Sequence, residues 1–135
     1  MFAEEINFHK QRADVFYERV KACIYSNALS LNCMFAPSEQ PVPFEKRLGL
    51  QYSRLEPGGR WGQNCSSAWF HITGTVPQEF EGLELALIFD PGGESMIFGN
   101  DGIPVCGLTG GSVFSPNYRK TAFRINGSHK AGDKL

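Results

Sequence analysis

Residues 69–77 read Trp69-Phe70-His71-Ile72-Thr73-Gly74-Thr75-Val76-Pro77 and carry the clearest strand signal in the chain. Successive side chains of a strand alternate between its faces. Phe70, Ile72 and Val76 therefore point one way, and Trp69, His71, Thr73 and Thr75 the other. Pro77 lacks the N–H that a ladder needs and ends the run. Downstream, Leu83, Leu85, Leu87 and Phe89 alternate again, with Glu84 and Ala86 between them. Pro91-Gly92-Gly93 turns the chain, and residues 95–98 return it. Asn100-Asp101-Gly102 is a tight hairpin signal, because these residues tolerate positive φ. Residues 103–106 follow it, and a last pair of strands is expected at Val113-Phe114 and at 121–125. Upstream, Leu48, Leu50 and Tyr52 alternate with Gly49, Gln51 and Ser53 before a Pro57-Gly58-Gly59 turn. Short strands separated by turn signals at steps of about ten residues indicate a β-sandwich or jelly roll.

The N-terminal part has a different period. Within residues 9–27, Ala13, Phe16, Tyr17, Val20 and Ile24 recur at three- and four-residue steps, which predicts a helix with one apolar face lying on something apolar. Residues 36–43 hold three prolines, Pro37, Pro41 and Pro43, which argue against helix and interior strand. The expected organisation is a helical segment at 1–35, a Pro-rich linker at 36–47 and an incomplete β-sandwich at 48–135. Residues 131–135 read as a turn into a further strand, so the sandwich is expected to be truncated before its final strand.

Composition narrows the function classes. The chain has 135 residues, 13 basic and 14 acidic side chains, and a net charge of −1. No basic excess exists to neutralise phosphates, so nucleic acid is not an expected partner. No apolar run approaches the roughly 18 residues of a membrane span, and no polybasic stretch suggests a membrane surface. The N-terminus lacks the basic and apolar regions of a signal peptide, which makes a cytoplasmic location the expectation. Cys23, Cys33, Cys65 and Cys106 form no C-x-x-C pair and are expected as reduced thiols.

The search for catalytic chemistry returns little. His9, His71 and His129 are scattered and show no metal-ligand spacing. No G-x-S-x-G elbow exists. The glycine-rich run Gly107-Leu108-Thr109-Gly110-Gly111 precedes no helix and reads as a loop rather than a phosphate cradle. Asp90, Glu94 and Asp101 could meet at one end of a hairpin, as paired carboxylates or calcium ligands, but turn chemistry accounts for them more simply. Trp61, between Arg60 and Gly62, could stack on a sugar ring, anchor a domain contact or simply pack under a loop. The candidate contact residues are Arg60, Trp61, His71 and Asp101. No catalytic and no metal-binding residue is expected in this chain.

Taken together, several short motifs resemble a known family. Arg60-Trp61-Gly62, Ser66-Ser67-Ala68-Trp69-Phe70 and Val76-Pro77 occur in that order. Residues 83–90, Pro91-Gly92-Gly93-Glu94, Asp101-Gly102-Ile103-Pro104 and Gly107-Leu108 follow. This succession resembles the N-terminal region of bacterial and cytosolic α-mannosidases of glycoside hydrolase family 38, best over residues 48–108. The resemblance implies a galactose-binding-like jelly-roll sandwich preceded by a helix and followed by a zinc-dependent catalytic domain. None of that domain's zinc ligands and no nucleophile matches a residue here.

On this resemblance the chain is an accessory domain or fragment of an α-mannosidase that hydrolyses terminal α-D-mannose residues of oligosaccharides. Its own role would be structural, with the catalytic domain in cis as partner, an oligosaccharide or a homo-oligomeric contact in addition, and zinc in the catalytic domain only. The alternatives are a stand-alone carbohydrate-binding module and a protein-interaction β-sandwich.

Overall fold

The computed structural model describes residues 2–111 and 118–135. The chain divides into two units, residues 1–30 and 31–135. The first unit holds one helix, α1, at Phe2–Cys23. It starts earlier and stops sooner than the expected 9–27. Ile24 N–H still reaches the Lys21 carbonyl at 3.3 Å, but that tightened bond closes the last turn, so Asn27 is not the stop. Phe16, Tyr17, Val20 and Ile24 are exposed, so nothing within this unit covers the expected apolar face.

The second unit is mainly β and entirely antiparallel. Its strands are β1 (Asn32–Ser38), β2 (Ser53–Arg54), β3 (Ser67–Thr73), β4 (Leu85–Ile88), β5 (Glu94–Phe98), β6 (Pro104–Thr109) and β7 (Ala122–Ile125). They form a three-stranded sheet in the order β2-β1-β3 and two pairs, β4-β7 and β5-β6. The expected strand at Val113-Phe114 lies outside the described residues.

β1 corrects the expected organisation. Its seven residues pair with all seven of β3, from Asn32 opposite Thr73 to Ser38 opposite Ser67. The segment read as the end of a helical region and the start of a linker is thus the middle strand of the sheet. Two physical facts hid it. Cys33, Met34, Phe35 and Ala36 are all at least half-buried, so no polar–apolar alternation marks the strand. Pro37 is tolerated because β2 ends early: it pairs only with Met34 and Phe35. Cys33 presents its carbonyl to Leu55 on the β2 side, at 2.9 Å. By the two-residue alternation, Pro37 presents its missing N–H to that same side, beyond the reach of β2.

The strand expected around Leu48 is also absent. Phe44–Gly49 forms a 3₁₀-helix instead, opened by the Lys46 N–H bond to the Pro43 carbonyl at 3.0 Å. Pro43 pre-sets the backbone for that turn, and the apparent alternation of Leu48 and Leu50 carries no pairing partner.

β3 has aromatic packing on both faces, as its alternation demands. Phe70 meets Phe35, Trp61 and Phe89 at ring separations of 6.3, 5.1 and 5.1 Å. On the opposite face Trp69 meets Phe44 and Phe98 at 5.9 and 5.2 Å. These rings join the three-stranded sheet to the segment after β4 on one side and to β5 on the other. Ala36, Val76, Leu85 and Leu108 are the buried aliphatic side chains among the described residues.

Residues 132–135 are already paired rather than about to pair. Gly74 and Leu135 exchange N–H···O bonds at 3.1 Å each. Val76 N–H reaches Asp133 O at 2.9 Å, and Gly132 N–H reaches Val76 O at 2.8 Å. The final residues extend the ladder at the point where β3 has left β1.

Candidate functional site

The four residues singled out by sequence do not converge. Trp61 packs on the Phe70 face of β3, whereas His71 shares the parity of Trp69 and faces the other way. Asp101 sits in the turn between β5 and β6. That turn lies on the Trp69 side, because a Cβ on Gly102 would approach the Phe44 ring to 2.8 Å. Arg60 and His71 are exposed. A single sugar cannot touch Trp61 and His71 across the sheet.

Trp61 is held by its own contacts. Its ring stands edge-on to Phe70, at an interplanar angle of 84°, and its indole N–H donates to the Pro91 carbonyl at 3.0 Å. The residue is half-buried. An indole engaged on one face and at its N–H ties the loop after Gly59 to the Pro91-Gly92-Gly93 turn. Local turn chemistry positions it. Gly62 has φ +60, and the Ser66 hydroxyl accepts from the Gln63 N–H at 2.9 Å. Cys65 also adopts a left-handed φ of 66, a conformation that costs a non-glycine residue about 1 kcal/mol or more.

The carboxylates are engaged in the same local way. Asp90 Oδ1 accepts from the Gly92 N–H at 3.0 Å, while its other oxygen pairs with Arg119. Asp101 Oδ1 accepts from the Ile103 N–H at 3.0 Å, closing the hairpin turn. Glu94 accepts from the Thr109 hydroxyl across the β5-β6 pair at 2.6 Å. Asp90 and Asp101 each cap their own turn, as Asx-turn residues do, and Glu94 binds the neighbouring strand. Among the described residues, no three His, Cys, Asp or Glu side chains come together as metal ligands would.

Sequence reasoning passed over the cluster on the Trp69 face. Trp69 donates its indole N–H to the Val42 carbonyl at 2.8 Å. Phe44 fits between Trp69 and Phe98, and the Arg47 guanidinium lies 3.4 Å from the Phe44 ring centre. Arg47 also donates to the Phe44 carbonyl at 2.8 Å. An arginine three residues after a phenylalanine was the available signal, but it has meaning only once Phe44–Gly49 is known to coil. The four cysteines are unpaired. Burial pushes the Cys33 thiol above its ordinary value. Burial likewise raises the Tyr52 phenol, against an opposing pull from Arg47.

The comparisons with known proteins give this architecture its family. The family model described as "Alpha-mannosidase, jelly roll domain" matches residues 26–135. The chain belongs to this α-mannosidase jelly roll family. Its similarity to α-mannosidase 2C1 of Mus musculus runs over 84 residues at 30% identity, covering 62% of this chain. The matched stretch is only 8% of that relative's length. No solved structure matches significantly. The family match begins after α1 and takes in the whole of the second unit. No helix among the described residues is long and apolar enough to cross a membrane.

Proposed function

We propose that this jelly roll is an accessory domain of a larger α-mannosidase, and that the larger enzyme hydrolyses terminal α-D-mannose residues of oligosaccharides. The observation that carries this reading is the family match over residues 26–135, joined to a relative that is named as an α-mannosidase and is far longer than this chain. The domain's own role is structural. Trp61, Asp90, Glu94 and Asp101 are engaged in internal turns and packing, which supports a scaffold rather than a ligand-binding face. Zinc and the nucleophile belong to the catalytic domain in cis, and the enzyme works in the cytoplasm.

The test is turnover. Purified 135-residue chain supplied with zinc leaves an aryl α-mannoside intact, whereas the polypeptide translated from the complete reading frame cleaves it. Hydrolysis by the 135-residue chain alone, or none by the complete polypeptide, refutes the proposal. Titration calorimetry against mannose and oligomannose tests the carbohydrate-binding alternative, which requires heat of binding that Trp61→Ala or His71→Ala removes.

A further inference from the structure

The residues just after β7 pair a carboxamide with an unhindered backbone nitrogen. The nitrogen that follows an asparagine can attack the side-chain carbonyl carbon, and it does so most readily in glycine, where no Cβ blocks the approach. Asn126 alone of the asparagines in this chain precedes a glycine. Asn126, Gly127 and Ser128 are exposed. Among the described residues, neither the Gly127 N–H nor the Asn126 side chain has a hydrogen-bond partner. Asp101-Gly102 shows the opposite arrangement. There the glycine N–H donates to the Gly99 carbonyl at 3.0 Å, and the Asp101 carboxylate is held by the Ile103 N–H. Its nucleophile and its electrophile are both engaged.

A base stands beside the free pair. A Cβ on Gly127 would lie 3.9 Å from Cε1 and 4.0 Å from Nε2 of His129, so the imidazole edge borders this glycine. His129 Nε2 is buried and has no hydrogen-bond partner among the described residues. A buried polar atom of that kind calls for an explanation. Both ends of the segment are pinned to one stretch of chain. Ile125 pairs with Leu85, and the His129 carbonyl accepts from the Gly82 N–H at 2.9 Å. The fold thus holds the ring against Gly127.

We infer that Asn126-Gly127 is a self-modification site, at which His129 promotes deamidation of Asn126. The Gly127 nitrogen attacks Asn126 Cγ, and its proton passes to His129 Nε2. The bond from Cγ to the side-chain nitrogen breaks, and ammonia leaves with that proton. Water then opens the cyclic imide at one of its two carbonyls, giving aspartate or isoaspartate. The isoaspartyl product carries the main chain through the former side chain and adds a methylene to it. That addition falls between β7 and the final ladder, where Gly132, Asp133 and Leu135 bond to Gly74 and Val76. Conversion therefore loosens this ladder.

Peptide mapping by mass spectrometry of the 135-residue chain, aged in neutral buffer, tests the inference. Asn126 converts before Asn64 and Asn100, which are also exposed. His129→Gln slows the conversion at least ~10-fold. Free imidazole restores the rate in His129→Ala and adds little to the parent, a rescue that a merely structural histidine does not give. In unfolding urea the parent falls to the slow rate of the variants, a comparison that needs no variant to fold. Conversion no earlier at Asn126 than at Asn64 or Asn100 overturns the site. Equal rates for the parent and His129→Gln, or for the folded and unfolded parent, overturn the part of His129. Hydrogen exchange of the Gly74 and Val76 amides is at least ~10-fold faster in the isoaspartyl form, and unchanged exchange overturns the loosening.

Discussion

Replacing Trp61 separates a structural indole from a sugar platform. A fully buried tryptophan costs about 3–5 kcal/mol on truncation to alanine. Trp61 is half-buried, so about 2 kcal/mol is the share from packing against Phe70 and its surroundings. The lost N–H bond to Pro91 adds about 1 kcal/mol. Trp61→Ala should thus destabilise the domain by about 3 kcal/mol in all. Trp61→Phe keeps a ring against Phe70 and loses only the bond, about 1 kcal/mol. In urea, with a slope of about 2 kcal/mol per molar, the midpoints fall by about 1.5 M and about 0.5 M. Fluorescence of the remaining Trp69 and far-ultraviolet circular dichroism report the transition. A midpoint for Trp61→Ala within about 0.2 M of the parent, together with loss of oligomannose binding, would refute the packing account and restore the sugar platform.

Other perturbations follow from single contacts. Gly102→Ala places a methyl at φ +79 and 2.8 Å from the Phe44 ring, so it should lower stability by about 1–2 kcal/mol, read from a thermal or urea melt. Removing residues 132–135 strips four backbone bonds from Gly74 and Val76 and opens an edge beside buried Val76; light scattering should show association that the 135-residue chain lacks. Cys33 should react with a thiol reagent more slowly than exposed Cys23 and Cys65, as mass spectrometry of the labelled chain can resolve. The thiol of Cys33 and the phenol of Tyr52 are both raised on folding, so the unfolded chain ionises first as pH rises. Their contribution is present below the unfolded values and is lost as pH climbs through the folded ones, so the urea midpoint should fall in the alkaline range.

Period and punctuation determined part of this protein directly. The alternation of residues 69–76 placed Phe70 and Trp69 on opposite faces, and both faces hold the aromatic packing that alternation requires. The hairpin at Asn100-Asp101-Gly102 was legible because its Asp and Gly are chemically suited to the turn, and Asp101 closes it with its own carboxylate. The ordered motifs around Trp61, Trp69 and Pro91 carried the family, which the match over residues 26–135 establishes.

The tertiary structure alone decided what depended on distant partners. β1 has no periodic signature, because a strand covered on both faces has no polar side to alternate with. Its proline is harmless only because β2 is two residues long, which the local sequence of β1 does not state. The reading of Trp61 stayed open between sugar stacking, a domain contact and packing for the same reason: an aromatic beside glycine has the same sequence whether its indole faces solvent or a carbonyl 30 residues away. Local signals reveal conformations that a residue prefers by itself, whereas burial and hydrogen-bond partners are set by which segments the fold brings together. That is why β3 was readable, while β1 at the centre of the sheet and the short β2 beside it were not.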